Sequence, residues 1–300
     1  MWLVKGKFYS PRTIRELRDL TRYKTKLTNQ VSADRNRFFK ILEDANIKLS
    51  VVLTDVFGAT GKKMIKVILE EENYQPEKLL HLVHGKVKAN REDIREALTG
   101  YVTAHHRFML KTLLGNMERL QATITELEAQ IEEIAAPYKK ERELLAKIPG
   151  VGINGAVGII AEIGVNMEQF VTHKHLAFWA GMCPGSNESA GKNKSGRITY
   201  GNKYLRALLT EQGWAASRSK NTYLGSKYKS LAGCRGKKKA IIAIGHKILI
   251  AAYFIIKEKV DFKELGEDYL NIFRKDKLIN YYKKQLQKLD PNLVVNEKAA

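Results

Sequence analysis

Cysteine is nearly absent from this 300-residue chain. The two present, Cys183 and Cys234, exclude a disulfide framework and a four-thiolate zinc site. The opening residues do not read as an apolar secretory leader. The longest apolar run, Ala240 to Ile256, is interrupted by Gly245, His246 and Lys247 and falls short of the ~20 residues a membrane span needs. It reads as a buried helix, and a cytoplasmic protein with no membrane partner is expected. Alternating β-branched runs are scarce, and neither a repeat of 20–50 residues nor a low-complexity tract is found. What is present is a 44% apolar fraction, enough for a sizeable core, on a length that suggests about two domains. A wholly disordered chain is excluded.

Acidic residues are also scarce. Lys and Arg number 52 against 32 Asp and Glu, a net charge of +20, which suggests a polyanionic partner. Nucleic acid leads, with an anionic membrane surface and a structural RNA role as the other readings of the total alone. Two regions carry the excess. From Met1 to Gln30, eight basic residues face the two acids Glu16 and Asp19. Arg15, Arg18 and Arg22 recur there at helical spacing, either tracking a phosphate backbone or forming a solvated face. From Ser189 to Lys247, fourteen basic residues face the single acid Glu211.

Between them, glutamates outnumber cations over residues 118–143. In the same stretch Leu110, Leu113, Met117, Leu120, Ile124, Leu127, Ile131 and Ile134 follow at alternating steps of three and four, the seam of a coiled coil. It is expected to form a long helical hairpin or a dimer coil. Ser10–Pro11 fits a helix start, and Ile14, Leu17, Leu20 and Leu27 supply an apolar stripe after it. The expected fold is mainly α: a helical middle region over 1–100, a coiled coil over 101–143, a helix-hairpin-helix domain over 144–260 and a helical tail over 261–300.

The stretch Leu145-Ala146-Lys147-Ile148-Pro149-Gly150-Val151-Gly152 leads into an apolar helix ending at Glu162-Ile163-Gly164. This spacing reads as a helix-hairpin-helix. Gly150 and Gly152 permit positive φ and close approach of the backbone to a phosphate, and the exposed amides of the turn, with Val151 between them, would hold a phosphate oxygen without reading sequence. The plain structural alternative is an αα-corner. Downstream, residues 181–197 form a polar, glycine-punctuated stretch with three serines (Ser186, Ser189, Ser195) and the cations Lys192, Lys194 and Arg197, followed by a helix carrying Lys203 and Arg206. Such a loop ordinarily contacts phosphate. A serine nucleophile would need nearby cations to neutralise charge on the phosphate.

Five blocks then carry a resemblance: the Leu145–Gly152 turn, Ala161-Glu162-Ile163-Gly164, Phe178-Trp179-Ala180-Gly181-Met182-Cys183-Pro184, Ser189-Ala190-Gly191-Lys192, and Gly201-Asn202-Lys203-Tyr204-Leu205-Arg206. In order and spacing they resemble the C-terminal domain of insertion-sequence 110/116/902 family transposases, and the upstream helices resemble the middle of the same proteins. The resemblance implies DNA transposition through a serine that becomes covalently joined to DNA. Ser189 matches that serine, with Ser195 and Ser186 as rivals. DNA is the implied partner, an element-encoded guide RNA is known for some members, and copies are expected to associate through the coil. The expected setting is the bacterial or archaeal nucleoid.

In that family a RuvC-like N-terminal domain carries an Asp-Glu-Asp-Asp metal site. This chain is expected to begin just after its last Asp-x-x-Asp pair, so Mg²⁺ is expected only with that domain, and catalysis by this chain alone is not expected. No metal site is assigned here. Glu70, Glu71 and Glu72 are adjacent, Asp34, Glu43, Asp44 and Asp55 read as solvated positions and caps, and His105 and His106 lack partners at ligand spacing. The alternative function is a non-catalytic coiled-coil DNA-binding protein derived from a transposase.

Overall fold

Helix dominates the computed structural model, as the scarcity of strand-like runs implies. It describes residues 10–72, 74–83, 87, 89–185, 188–193 and 197–289, without the side chains of residues 188, 192, 193, 273, 274 and 276–278. The helices are α1 (Arg12–Asp44), α2 (Leu49–Val52), α3 (Ala59–Glu70), α4 (Pro76–Leu79), α5 (Arg91–Leu98), α6 (Ala104–Ala135), α7 (Lys139–Ala146), α8 (Gly152–Ile163), α9 (His173–Trp179), α10 (Lys203–Arg218), α11 (Tyr223–Arg235), α12 (Lys237–Glu258) and α13 (Tyr269–Leu289). A two-residue-per-strand ladder, β1 (Glu188–Ser189) with β2 (Lys192–Asn193), interrupts them. The chain divides into two compact units, residues 20–133 and residues 1–19 with 134–300.

In the unit of residues 20–133, α1 and α6 run antiparallel. Lys24 pairs with Glu128 at 2.8 Å, Asn116 donates to Asp34 at 2.6 Å, and His106 bonds Asp44 at 2.9 Å. The apolar stripe of α6 therefore has a partner within the chain: Leu27 and Val31 pack on Ile124, and Phe38 and Leu42 share a cluster with Leu110, Leu113 and Met117. Helices α3 and α5 close that cluster with Met64, Ile65, Ile68, Ile94 and Leu98. Arg107 donates to the carbonyls of Ile68, Glu71 and Glu72, placing a cation where the open C-terminus of α3 needs donors.

Asp34 is not the solvated position its sequence context suggests. It is 2% exposed and held by Asn116 and Arg37, since an unpaired carboxylate at that depth would be costly. His106 accepts from the Thr103 backbone N–H at Nδ1, so Nε2 carries the proton toward Asp44.

In the other unit α12 is central and packs against α7, α9, α10 and α11. At 22 residues it is long and apolar enough to cross a membrane by length and composition, longer than the apolar run because its lysine-bearing ends extend the helix. Its apolar side chains are spent on neighbours: Ile244, Ile248, Leu249 and Ala252 are fully buried. Arg18 sits among the first residues of the chain and is spent as well. It donates to the Ala161 and Glu162 carbonyls at 2.8 and 3.2 Å, at the end of α8. A guanidinium there offsets the open carbonyls and the negative end of the helix dipole, so Arg18 of the Arg15–Arg18–Arg22 stripe is engaged within the fold.

Candidate nucleic-acid interface

Helices α7 and α8 are joined by a turn whose geometry follows from its sequence. Val151 N–H donates to the Ile148 carbonyl at 3.0 Å, Pro149 takes the second position and Gly150 the third with φ +86°. Proline followed by a positive-φ glycine is the signature of a type II turn. Gly152, at φ +53°, then opens α8, and its first residues Gly152, Ile153 and Asn154 are exposed.

The two glycines have different neighbours. A Cβ on Gly150 would lie 2.5 Å from the Ala216 nitrogen and the Gln212 carbonyl of α10, whereas one on Gly152 would meet nothing within 4 Å. Gly150 is thus small because α10 passes beside it, and Gly152 is the position of the turn open to a ligand. Val151 is 3% exposed, so its side chain belongs to the core and only its backbone is a candidate contact.

The serine-bearing stretch expected as a loop pairs, in its described residues, as an antiparallel hairpin. At its base Gly185 N–H donates to the Arg197 carbonyl at 2.8 Å and Thr199 N–H to the Cys183 carbonyl at 3.0 Å. At its tip Ser189 faces Lys192 across a two-residue turn, in which Ala190 and Gly191 both have positive φ, +50° and +71°. That is the I′ pattern matching the twist of a hairpin. Ser189 is exposed. Only the backbone of Lys192 is placed, and Ser186, Lys194 and Ser195 lie outside the described residues. Burial raises the pKa of the Cys183 thiol at the hairpin base, which keeps it protonated at neutral pH and a poor rival nucleophile.

The hairpin returns into α10 through a tight crossing. Gly201 passes so close to Gly181 that a Cβ on it would meet the Gly181 nitrogen at 2.2 Å. Asn202 then does two jobs. Its side-chain oxygen accepts from Tyr204 and Leu205 N–H, capping α10, and its amide donates to the buried Glu162 carboxylate at 2.6 Å. The backbone of that glutamate is the one Arg18 holds. Four of the sequence blocks, the turn, Glu162, Gly181 and Gly201–Asn202, are therefore joined in one framework around α8 and α10.

Helix α10 has two faces. Leu205, Leu209, Gln212 and Ala216 are buried toward the turn and α12. The opposite face carries Lys203 and Arg206, which line a cleft of ≈ 800 Å³ shared with Ile198 of the hairpin. Arg197 is exposed and lies over the Tyr200 ring at 5.3 Å. The cleft also holds Thr210, Trp214 and Arg218, which the sequence reading did not single out although their steps of three and four from Lys203 are legible in it.

Among the described residues no group of three or more His, Cys, Asp or Glu is gathered so as to hold a metal ion. The described residues do not fit the metal centre the resemblance implies, and no step below passes through one.

No curated protein matches the chain. The α7–α8 turn, the hairpin, α10 and the start of α11 fall within residues 142–229, and this segment matches the family model of the Transposase IS116/IS110/IS902 family.

Proposed function

We propose that this chain is the helical and C-terminal part of an insertion-sequence transposase that binds DNA and cuts and rejoins strands through Ser189. The observation that carries the reading is the exposed Ser189 beside the two-residue turn of a β-hairpin, within the segment that matches the transposase family. In the reaction the Ser189 hydroxyl oxygen attacks a backbone phosphorus. A Ser–O–P bond forms, the bond to one strand oxygen breaks, and the hydroxyl proton leaves to solvent or a base while the departing oxygen takes one up. The phosphodiester energy is kept in the serine ester, so a strand hydroxyl can reverse the step and rejoin.

Catalysis of this kind rests on placing positive charge where the phosphate gains negative charge. Arg197, Lys203 and Arg206 are the described cations closest in the chain to that task, with Lys192 and Lys194 completing the set. The α7–α8 pair acts as a helix-hairpin-helix, offering the amides at Gly152 to a phosphate, with Gly150 and Val151 shaping the turn. Helix α6 with α1 serves as the coiled-coil element of assembly. Because its seam is covered within the chain, association of copies would use the outer positions of the pair. A guide RNA is a further partner, and Mg²⁺ enters only with the metal-bearing domain of the family.

The test is an SDS-stable protein–DNA adduct formed on end-labelled element DNA, with and without added full-length transposase. Ser189→Ala is expected to abolish the adduct while leaving DNA affinity intact. An adduct of this chain, told by its size from one of the full-length protein, that persists in Ser189→Ala moves the nucleophile to another residue. DNA binding with no adduct under any condition favours the non-catalytic DNA-binding reading.

A further inference from the structure

The cleft along α10 combines features that a duplex-backbone site does not require. Lys203, Arg206, Thr210, Trp214 and Arg218 fall on one helical face, with Ile198 of the hairpin at its edge. Trp214 is 38% exposed, and its indole packs against Tyr228 with ring centroids 6.1 Å apart and planes tilted by 57°. A large aromatic ring anchored by a neighbouring ring yet partly exposed can serve as a stacking platform. Cations stand on both sides of it along the helix, Lys203 and Arg206 before and Arg218 after.

The one acid in the cleft, Glu211, opposes three cations, so the cleft keeps a positive balance. A folded duplex keeps its bases stacked inside and offers only its phosphates at this scale, which leaves the indole unused. An unpaired strand offers both phosphates and π faces. Ile198, at the base of the hairpin that carries Ser189, lines the same cleft.

We propose that this cleft binds an unpaired DNA strand, with one base stacked on Trp214 and the flanking phosphates on Arg206 and Arg218. The inference rests on the DNA-processing reading above and adds a second contact of different chemistry. It makes the protein a reader of strand separation as well as of duplex backbone.

The experiment is fluorescence anisotropy of the full chain with a labelled single-stranded DNA, the same sequence as duplex, and the same sequence as RNA. Trp214→Ala is expected to weaken single-stranded DNA binding about tenfold or more, the value of one stacked base, while duplex affinity stays unchanged. Trp214→Phe is expected to restore most of the loss. Arg218→Ala, at an exposed position in the last turn of α10, is expected to weaken only the single strand.

Equal loss on duplex and single strand in Trp214→Ala and Arg218→Ala overturns the proposal, as does tighter binding of RNA than of DNA or unchanged single-strand affinity in all three variants. If Trp214→Ala melts early, the Phe and Arg218 variants decide by the same criteria. Wild-type protein that binds duplex but no single strand sinks this inference alone, whereas protein that binds no DNA sinks the broader reading with it.

Discussion

Gly150 and Gly152 stand two residues apart in one turn, and their surroundings assign them different work. At Gly150 both the backbone angle and the space are taken, because φ is +86° and α10 lies against the missing Cβ. Gly150→Ala therefore combines left-handed strain with overpacking and is expected to cost about 3 kcal/mol or more, read as a lowered urea midpoint. Gly152→Ala meets only the backbone cost of about 1–2 kcal/mol, since its side is open. If the turn binds phosphate, a larger residue at Gly152, such as Gly152→Leu, weakens DNA binding in protein that remains folded. Unchanged affinity in that variant removes the turn from the interface. The sequence pattern marks both glycines alike, and only the passage of α10 separates them.

Among the elements, the hairpin shows how a stretch rich in glycine and serine becomes ordered. Its ladder is two residues per strand at the tip, too short to be stable alone, so its position depends on the anchoring at its base. Ala190 holds a left-handed angle that glycine or asparagine adopts more readily. The base is fixed by the Gly181–Gly201 crossing and by Asn202, which caps α10 and bonds Glu162.

Asn202→Ala is expected to lose about 1 kcal/mol from the cap and about 1–3 kcal/mol from depriving a buried carboxylate of a donor. Asn202→Ser keeps a capping oxygen but is too short to reach Glu162 and adds no charge, so urea denaturation of the two variants separates the contributions. Equal stability of wild type and Asn202→Ala would show that the Glu162 contact contributes nothing. The capping role of Asn202 was not singled out from the sequence, although Asn directly before a helix is a standard start. The Glu162 bond was not legible there, since it joins residues forty positions apart.

For the molecule as a whole the dominant quantity is its net charge of +20. Backbone-dominated DNA binding releases counterions, and an interface with about six phosphate contacts loses about a thousandfold in affinity between 50 and 200 mM salt. A steep linear fall of log affinity with log salt is the expected result for duplex DNA. A flat response would mean that the cations serve the fold or another partner.

Part of that charge is indeed spent internally. Arg18 closes the end of α8 and Arg107 the end of α3, although in the sequence each looks as available as Arg197 or Arg218. The sequence by itself determined the mainly helical class, the long α6 with its apolar stripe, the proline–glycine turn and the blocks that match a transposase family, because these depend on local periodicity and on residue types at short spacing. The tertiary structure decided which cations remain at the surface, what covers the seam of α6, that the serine stretch is a hairpin, and that a tryptophan opens among the cations of α10. Those outcomes depend on contacts between distant segments, and a residue's own neighbours in sequence do not specify them.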